Sequence, residues 1–200
     1  MPYGPTISAE YATGSSLTLR QPSRSALDSL FPADDEIFAH LSDEYDDYFF
    51  LTHTTSHFFR RVILPKPELL HWGIHARERQ QKDKLVGLCS VDITSGGFDV
   101  LLLQANARGR GIGSQVSRLL MATMFAKGED SIQTYITPDH HASRAMVDRL
   151  GMNVTGTGLD GTQLEFSLDR PKLPEDAVFS DMVRALGETS LVQATITDTA

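Results

Sequence analysis

The stretch Val100-Leu101-Leu102-Leu103-Gln104-Ala105-Asn106-Ala107-Arg108-Gly109-Arg110-Gly111-Ile112-Gly113-Ser114 decides how this chain is read. Its first four residues are an apolar run of strand character. Its end is a glycine-rich turn, followed by Val116, Leu119, Leu120, Thr123 and Met124 at the i, i+3, i+4, i+7, i+8 spacing of one helix face. A strand that turns through glycine into a helix gathers unpaired backbone N–H groups at one point. The helix dipole adds about half a positive charge there, so the point attracts phosphate. Gly111 and Gly113 permit close approach of backbone to ligand and tolerate positive φ. The expected ligand is a nucleotide-like anion.

Upstream of this stretch, residues 71–76, 85–93 and 98–103 read as three strands. The basic segment 77–84 would be a hairpin loop and Gly96-Gly97 a turn, so the pattern predicts an antiparallel meander. Downstream come a strand over 132–137, a break at Pro138, and a helix carrying Ala142, Ala145, Met146, Val147 and Leu150 that stops at Gly151. Two short strands follow, near 152–157 and 162–168. Leu17 and Leu19 begin an earlier strand, and Ser23 is placed to cap a helix through Ala26, Leu27 and Leu30 that Pro32 interrupts. An acidic helical segment is expected over 34–41, and residues 45–64 are aromatic and apolar without a decisive period.

These features divide the chain into a flexible arm (1–16, small and polar), a folded domain (17–169) and a tail (170–200). The tail opens at Pro171 and Pro174, carries a short helix near 176–186, and could mediate self-association as a homodimer. No internal repeat is present.

The chain of 200 residues has room for one substantial core. The single cysteine, Cys89, excludes an internal disulfide and reads as a small buried hydrophobe rather than a nucleophile. Residues 1–14 lack the basic and apolar regions of a secretion signal, and no apolar run reaches membrane-spanning length. A cytoplasmic protein without a membrane partner is expected. Net charge is −8, and residues 1–50 hold nine acids against Arg20 and Arg24. That balance argues against nucleic acid and suits a cationic acceptor or simply a solvated acidic face.

The order of elements, an antiparallel meander, then strand–glycine loop–helix, then strand–helix ending in Leu-Gly, resembles the GNAT superfamily of acyl-CoA-dependent N-acyltransferases. Arg108, Gly111 and Gly113 fit that family's Arg/Gln-x-x-Gly-x-Gly/Ala loop. Residues Ser143 to Met152 look like its second signature, Asn-x-x-Ser-x-x-x-x-x-x-x-Gly-Phe, in the form found among proteins similar to ribosomal-protein N-terminal acetyltransferases. The resemblance spans roughly 17–169. It implies an α+β fold with a central, mostly antiparallel, twisted sheet of about six to seven strands flanked by helices. It also implies an acetyl-CoA-dependent N-acetyltransferase that acts on a primary amine in a ternary complex. The competing reading is a CoA-binding or regulatory module of the same fold with impaired chemistry.

By the same resemblance, the backbone of Leu101, Leu102 and Leu103 would pair with the pantetheine. The amides of Gly109, Arg110, Gly111, Ile112, Gly113 and Ser114 would surround the pyrophosphate. Arg108 and Arg110 are phosphate ligands or solvated loop arginines, and the adenosine end would lie near His140 and Arg144. The family's thiol-protonating tyrosine falls at Val147, so Ser143 is the substitute acid, or else a helix-start serine bonded to backbone. Its asparagine is replaced by His140. Tyr135 is a candidate catalytic group or a core aromatic, and Asp92 and Asp99 are candidate bases or turn carboxylates. His53/His57 and His71/His75 have i, i+4 spacing, which resembles a metal pair only on a helix; no metal is expected. A nicotinamide-binding loop is excluded by the glycine spacing, and an RNA-binding arginine–glycine tract by the apolar flanks.

Overall fold

The computed structural model describes residues 4–30, 68–79, 81–158 and 161–197. The helical segment expected over 34–41, the aromatic segment 45–64, and His53 and His57 lie outside the described residues. The three-strand meander is present as β3 (Leu69–Arg77), β4 (Lys84–Asp92) and β5 (Phe98–Leu102). All its pairings are antiparallel, with Trp72 opposite Cys89 and Cys89 opposite Val100. These strands continue through β2 (Ser16–Arg20), β1 (Thr6–Tyr11) and β9 (Leu191–Thr197) into a six-stranded sheet ordered β5-β4-β3-β2-β1-β9. Ser23 caps α1 (Arg24–Ser29) by accepting from the Ala26 N–H at 3.1 Å.

Within the arm expected over residues 1–16, Thr6–Tyr11 form a strand of the sheet. β1 (Thr6–Tyr11) lies between β2 and β9 (Leu191–Thr197) and turns its Ile7, Ala9 and Tyr11 into the core. The chain before it is pinned as well. The Trp72 indole N–H donates to the Pro5 carbonyl at 2.7 Å, and Gly4 packs so closely that a Cβ there would fall 1.8 Å from the Trp72 ring. In the tail, Leu191–Thr197 form β9, so the sheet takes in strands beyond both expected boundaries, 17 and 169. The reason is mutual: β1 and β9 each supply the ladder that the other needs. The outer edge of β9 is closed by α4 (Phe179–Ala185). Ser180 Oγ donates to the Ala194 carbonyl and accepts from its N–H, at 3.0 and 2.8 Å, and Arg184 donates to the Val192 carbonyl at 2.7 Å. Side-chain closure of this kind blocks further strand addition.

The second expected group of strands forms its own sheet, β6-β8-β7, from β6 (Ser131–Ile136), β7 (Asn153–Thr157) and β8 (Leu164–Asp169). The two sheets are joined through α2 (Ile112–Ala126), whose Val116, Leu119, Leu120 and Phe125 are buried in the common core with Trp72, Ile74 and Ile132. α3 (His141–Arg149) contributes Val147 to the same core. Arg118 on α2 also anchors the tail: its Nε donates to the Leu186 carbonyl at 2.9 Å and its Nη1 to Glu188 at 3.1 Å. The side chains of this pair are only 13% and 7% exposed. Ser190 adds a 2.6 Å bond to the other Glu188 oxygen, and burial, with the carboxylate adding to it, holds the nearby Tyr11 phenol well above its ordinary pKa. Breaking a buried pair from one side strands the other charge. Glu188→Ala is therefore expected to cost about 3–5 kcal/mol in urea denaturation. The exposed Glu129→Ala should stay within about 0.5 kcal/mol of the parent.

Candidate active site

Among the described residues β5 pairs with another strand on one side only. The Leu103 and Gln104 N–H groups both donate to the Val86 carbonyl at 3.1 Å, and Asp92 N–H donates to the Gly97 carbonyl at 2.8 Å. Bonded pairs in an antiparallel ladder recur every second residue, so Asp99, Leu101 and Leu103 turn their backbone groups toward β4. Val100 and Leu102 turn theirs outward. Of the three leucines expected to pair with a ligand strand, Leu102 alone faces the open edge. Leu101 and Leu103 are committed to the sheet, and Val100 joins Leu102 at the edge. That parity required the register at Val86.

Across the open edge stands β6, which belongs to the other sheet. The two strands meet at their starts, where a Cβ on Gly97 would lie 4.0 Å from the Gln133 carbonyl, and no ladder joins them further on. The gap ends at the start of α2. Gly113 sits between the two elements, so a Cβ there would lie 3.9 Å from Leu102 Cδ1 and 3.5 Å from Met146 Sδ of α3.

Gly109 and Gly111 have φ of +70° and +81°, and Gly111 is the N-cap residue of α2. With no side-chain cap, the first-turn N–H groups of Ile112, Gly113 and Ser114 have no protein acceptor from the cap position. A Cβ at Gly109 or Gly111 would meet nothing within 4 Å. Both glycines are therefore required by backbone sign, and the space in front of the amides is open. The two arginines differ. Arg108 Nε donates to the Leu102 carbonyl at 3.1 Å, beside the open edge. Arg110 is ion-paired with Glu78, from the hairpin loop after β3, and that contact holds the Glu78 carboxyl below its usual range.

On α3, His140 is the N-cap residue: its Nδ1 accepts from the Ser143 N–H at 3.3 Å. Histidine thus fills the capping role that an asparagine would have, which explains the substitution at that position. Ser143 is half-buried in the first turn of α3, and Arg144 donates to the Pro138 carbonyl at 3.0 Å. Val147 is fully buried, so no proton donor stands there. Tyr135 is 44% exposed on β6, which removes its reading as a core aromatic. Asp92 is a turn carboxylate, accepting from Thr94 N–H, Thr94 Oγ1 and Ser95 N–H, and those bonds depress its pKa. Asp99 is exposed on β5.

His71 and His75 lie on β3, where residues four apart are separated by about 13 Å, too far to share an ion. Among the described residues no group of three or more His, Cys, Asp and Glu is placed to hold a metal. No helix among them is long and apolar enough to cross a membrane. Cys89 is fully buried, and burial pushes its thiol pKa up.

An open strand edge that leads into an uncapped, glycine-started helix, with a second sheet beside it, is the arrangement of an acyl-CoA-dependent acyltransferase. The chain belongs to the GNAT acetyltransferase domain family, whose model matches residues 16–153. Solved structures of the same fold include Mycobacterium smegmatis RimJ in complex with CoA-disulfide, with 16% identity, a TM-score of 0.58, and coverage of 94% of this chain and 97% of that one. An uncharacterized Bacillus halodurans protein aligns with 10% identity and a TM-score of 0.63, covering 93% and 97%. The microcin C7 self-immunity acetyltransferase MccE, in complex with acetyl-CoA and AMP, aligns with 17% identity and a TM-score of 0.52, covering 76% and 92%. No curated protein matches the sequence.

The close β4–β5 approach that presents Leu102 depends on Gly87, where a Cβ would fall 2.3 Å from the Leu101 carbonyl oxygen and 3.0 Å from Leu102 Cα. Gly87→Ala must push β5 outward, and overpacking of this kind costs about 1–3 kcal/mol. Lowered Tm together with weaker coenzyme A binding by calorimetry is the expected result. A variant with parental values of both would show that the two strands are not so closely apposed.

Proposed function

We propose that the protein transfers an acetyl group from acetyl-CoA to a primary amine, a small molecule or a protein N-terminus, by direct attack in a ternary complex. The observation that carries this is the continuity of two features: the outward backbone groups of Val100 and Leu102, and the uncapped N–H groups of residues 112–114. The first suits the amides of a pantetheine arm. The second suits a pyrophosphate. Arg108 and Arg110 lie at the same loop and can exchange their internal partners for phosphate oxygens, which they bind in bidentate fashion.

The chemistry makes three demands. The amine must lose a proton, and for an ammonium of pKa about 10.4 this costs about 4–5 kcal/mol at pH 7. Asp92 is committed to its turn, so the exposed Asp99 remains as the acid of the central strands from which a water chain could start. The tetrahedral oxyanion needs a donor, and the outward Leu102 N–H is suited to it. The departing thiolate needs a proton. Ser143, at the start of α3, is the proposed source, and Tyr135 on β6 is the other hydroxyl considered. An acyl-cysteine route finds no support, since the chain's one thiol is buried and its pKa raised. Buried Val147 favours a second reading, a CoA-binding module without turnover.

Two variants and one assay separate these. Gly111→Asp forces a side chain into the left-handed region and sets a carboxylate at the helix start. Coenzyme A binding should fall beyond calorimetric detection in a folded variant, and unchanged affinity would remove the site. Ser143→Ala should lower turnover about tenfold or more with little effect on coenzyme A affinity; equal turnover would end its role as acid. Thiol release from acetyl-CoA that depends on an added amine supports the transferase. Coenzyme A binding without such release across a broad amine panel supports the module.

A further inference from the structure

A cleft of about 470 Å³ is lined by Arg20, Ser23, His75, Asp83, Lys84 and Gln104, with Ala26 and Leu85. It draws residues from β2, β3, β4 and the end of β5. Arg20 ends β2, His75 lies on β3 opposite Leu85 of β4, and Gln104 is the residue at which the chain leaves β5, two beyond Leu102. The cleft therefore reaches the strand whose open edge is assigned to the donor. Its volume is that of a small-molecule site and would hold an amino acid or a short peptide end.

Its charges are organised. Arg20 Nη2 donates to Asp83 at 2.9 Å and lies 3.4 Å from His75 Nδ1, which is itself 3.5 Å from the same carboxylate oxygen. A guanidinium has five N–H donors, and the contacts to Asp83 and His75 use those of one nitrogen, Nη2. Lys84 is exposed at the start of β4, within electrostatic reach of Glu78, whose main partner is Arg110. Arg20 and Lys84 thus stand at the cleft beside Asp83, which Arg20 already engages. The ring of His75 is 93% buried by its 7% side-chain exposure, and its Nε2 has no hydrogen-bond partner among the described residues. Burial and the adjacent Arg20 lower its pKa, so at neutral pH the ring adds no charge. A polar cleft with surplus positive charge and an unsatisfied buried ring nitrogen fits an anionic group rather than an apolar tail.

We propose that this cleft is an acceptor subsite in which Arg20 and Lys84 hold a carboxylate, so that the acceptor is an amine that also bears a carboxylate, such as an amino acid or a short peptide. The inference rests on the transferase reading and names the class of its substrate. Charge-assisted hydrogen bonds of this kind correspond to roughly tenfold or more in affinity each.

The full-length protein, loaded with acetyl-CoA, is offered amino acids and, in parallel, their α-amides, with thiol release as the readout. KM is expected to be at least about tenfold lower for the carboxylates. Arg20→Gln and Lys84→Gln should each erase that difference while coenzyme A affinity by calorimetry stays at the parental value. The exposed Lys84 serves should Arg20→Gln fail to fold. Equal KM values for acids and amides in the parent, or a preference that survives both variants, overturns the subsite and leaves the transferase standing. Should no amine release thiol, calorimetric titration of the same amino acids into the coenzyme A complex decides. Binding lost in Lys84→Gln upholds the subsite although turnover fails, and no binding overturns it.

Discussion

The shared carbonyl of Val86, which accepts from both Leu103 and Gln104, is the constraint on which the proposed donor site depends. One acceptor serving two successive donors ends the ladder and swings the chain out of the sheet at the level of Leu102. Everything downstream follows from that departure: a single 3₁₀ turn over Ala105–Ala107, two positive-φ glycines, and the start of α2. An unpaired strand edge ordinarily invites aggregation, and proteins close such edges with side chains or cover them. This protein does both things selectively. The β9 edge is closed by Ser180 and Arg184, whereas among the described residues the β5 edge pairs with no further strand beside the helix N-terminus. Closure at one edge and an unpaired strand at the other is what the proposed donor site requires.

The arrangement of charge at that surface has its own logic. The acidic chain as a whole would repel a polyanion, and attraction is concentrated in backbone N–H groups that carry no formal charge. Of the two arginines at the loop, Arg108 donates to the Leu102 carbonyl and Arg110 pairs with an exposed carboxylate. Exposed ion pairs contribute little net free energy. Replacing Glu78 by a phosphate therefore loses little and gains a doubly charged, multidentate acceptor.

Local signals were legible in the sequence and distant ones were not. The glycine loop, the meander and the helix after it are encoded over spans of a few residues, by periodicity and by the backbone sign at Gly109 and Gly111. The cap at Ser23 and the stop at Gly151 are local too. β1 escaped because its period-two pattern, Ile7, Ala9, Tyr11, is embedded in small polar residues, and its partner β9 is some 180 positions away. The parity at Leu102 escaped because alternation along a strand does not say which set faces the neighbour. The contacts among Arg20, His75 and Asp83 join residues 55 and 63 positions apart, and no single-chain motif announces them.

α2 is the element through which these parts act as one. Its first turn presents the amides proposed to bind the pyrophosphate, its middle is buried between the two sheets, and its Arg118 fixes Leu186 and Glu188 of the C-terminal segment. A helix held at several points along its length cannot easily roll, and a roll would move the N–H groups of residues 112–114 away from the Leu102 edge. β1 and β9 thus bear on the geometry of the proposed donor site from a distance. Precision at one helix N-terminus is set by packing along the whole of that helix.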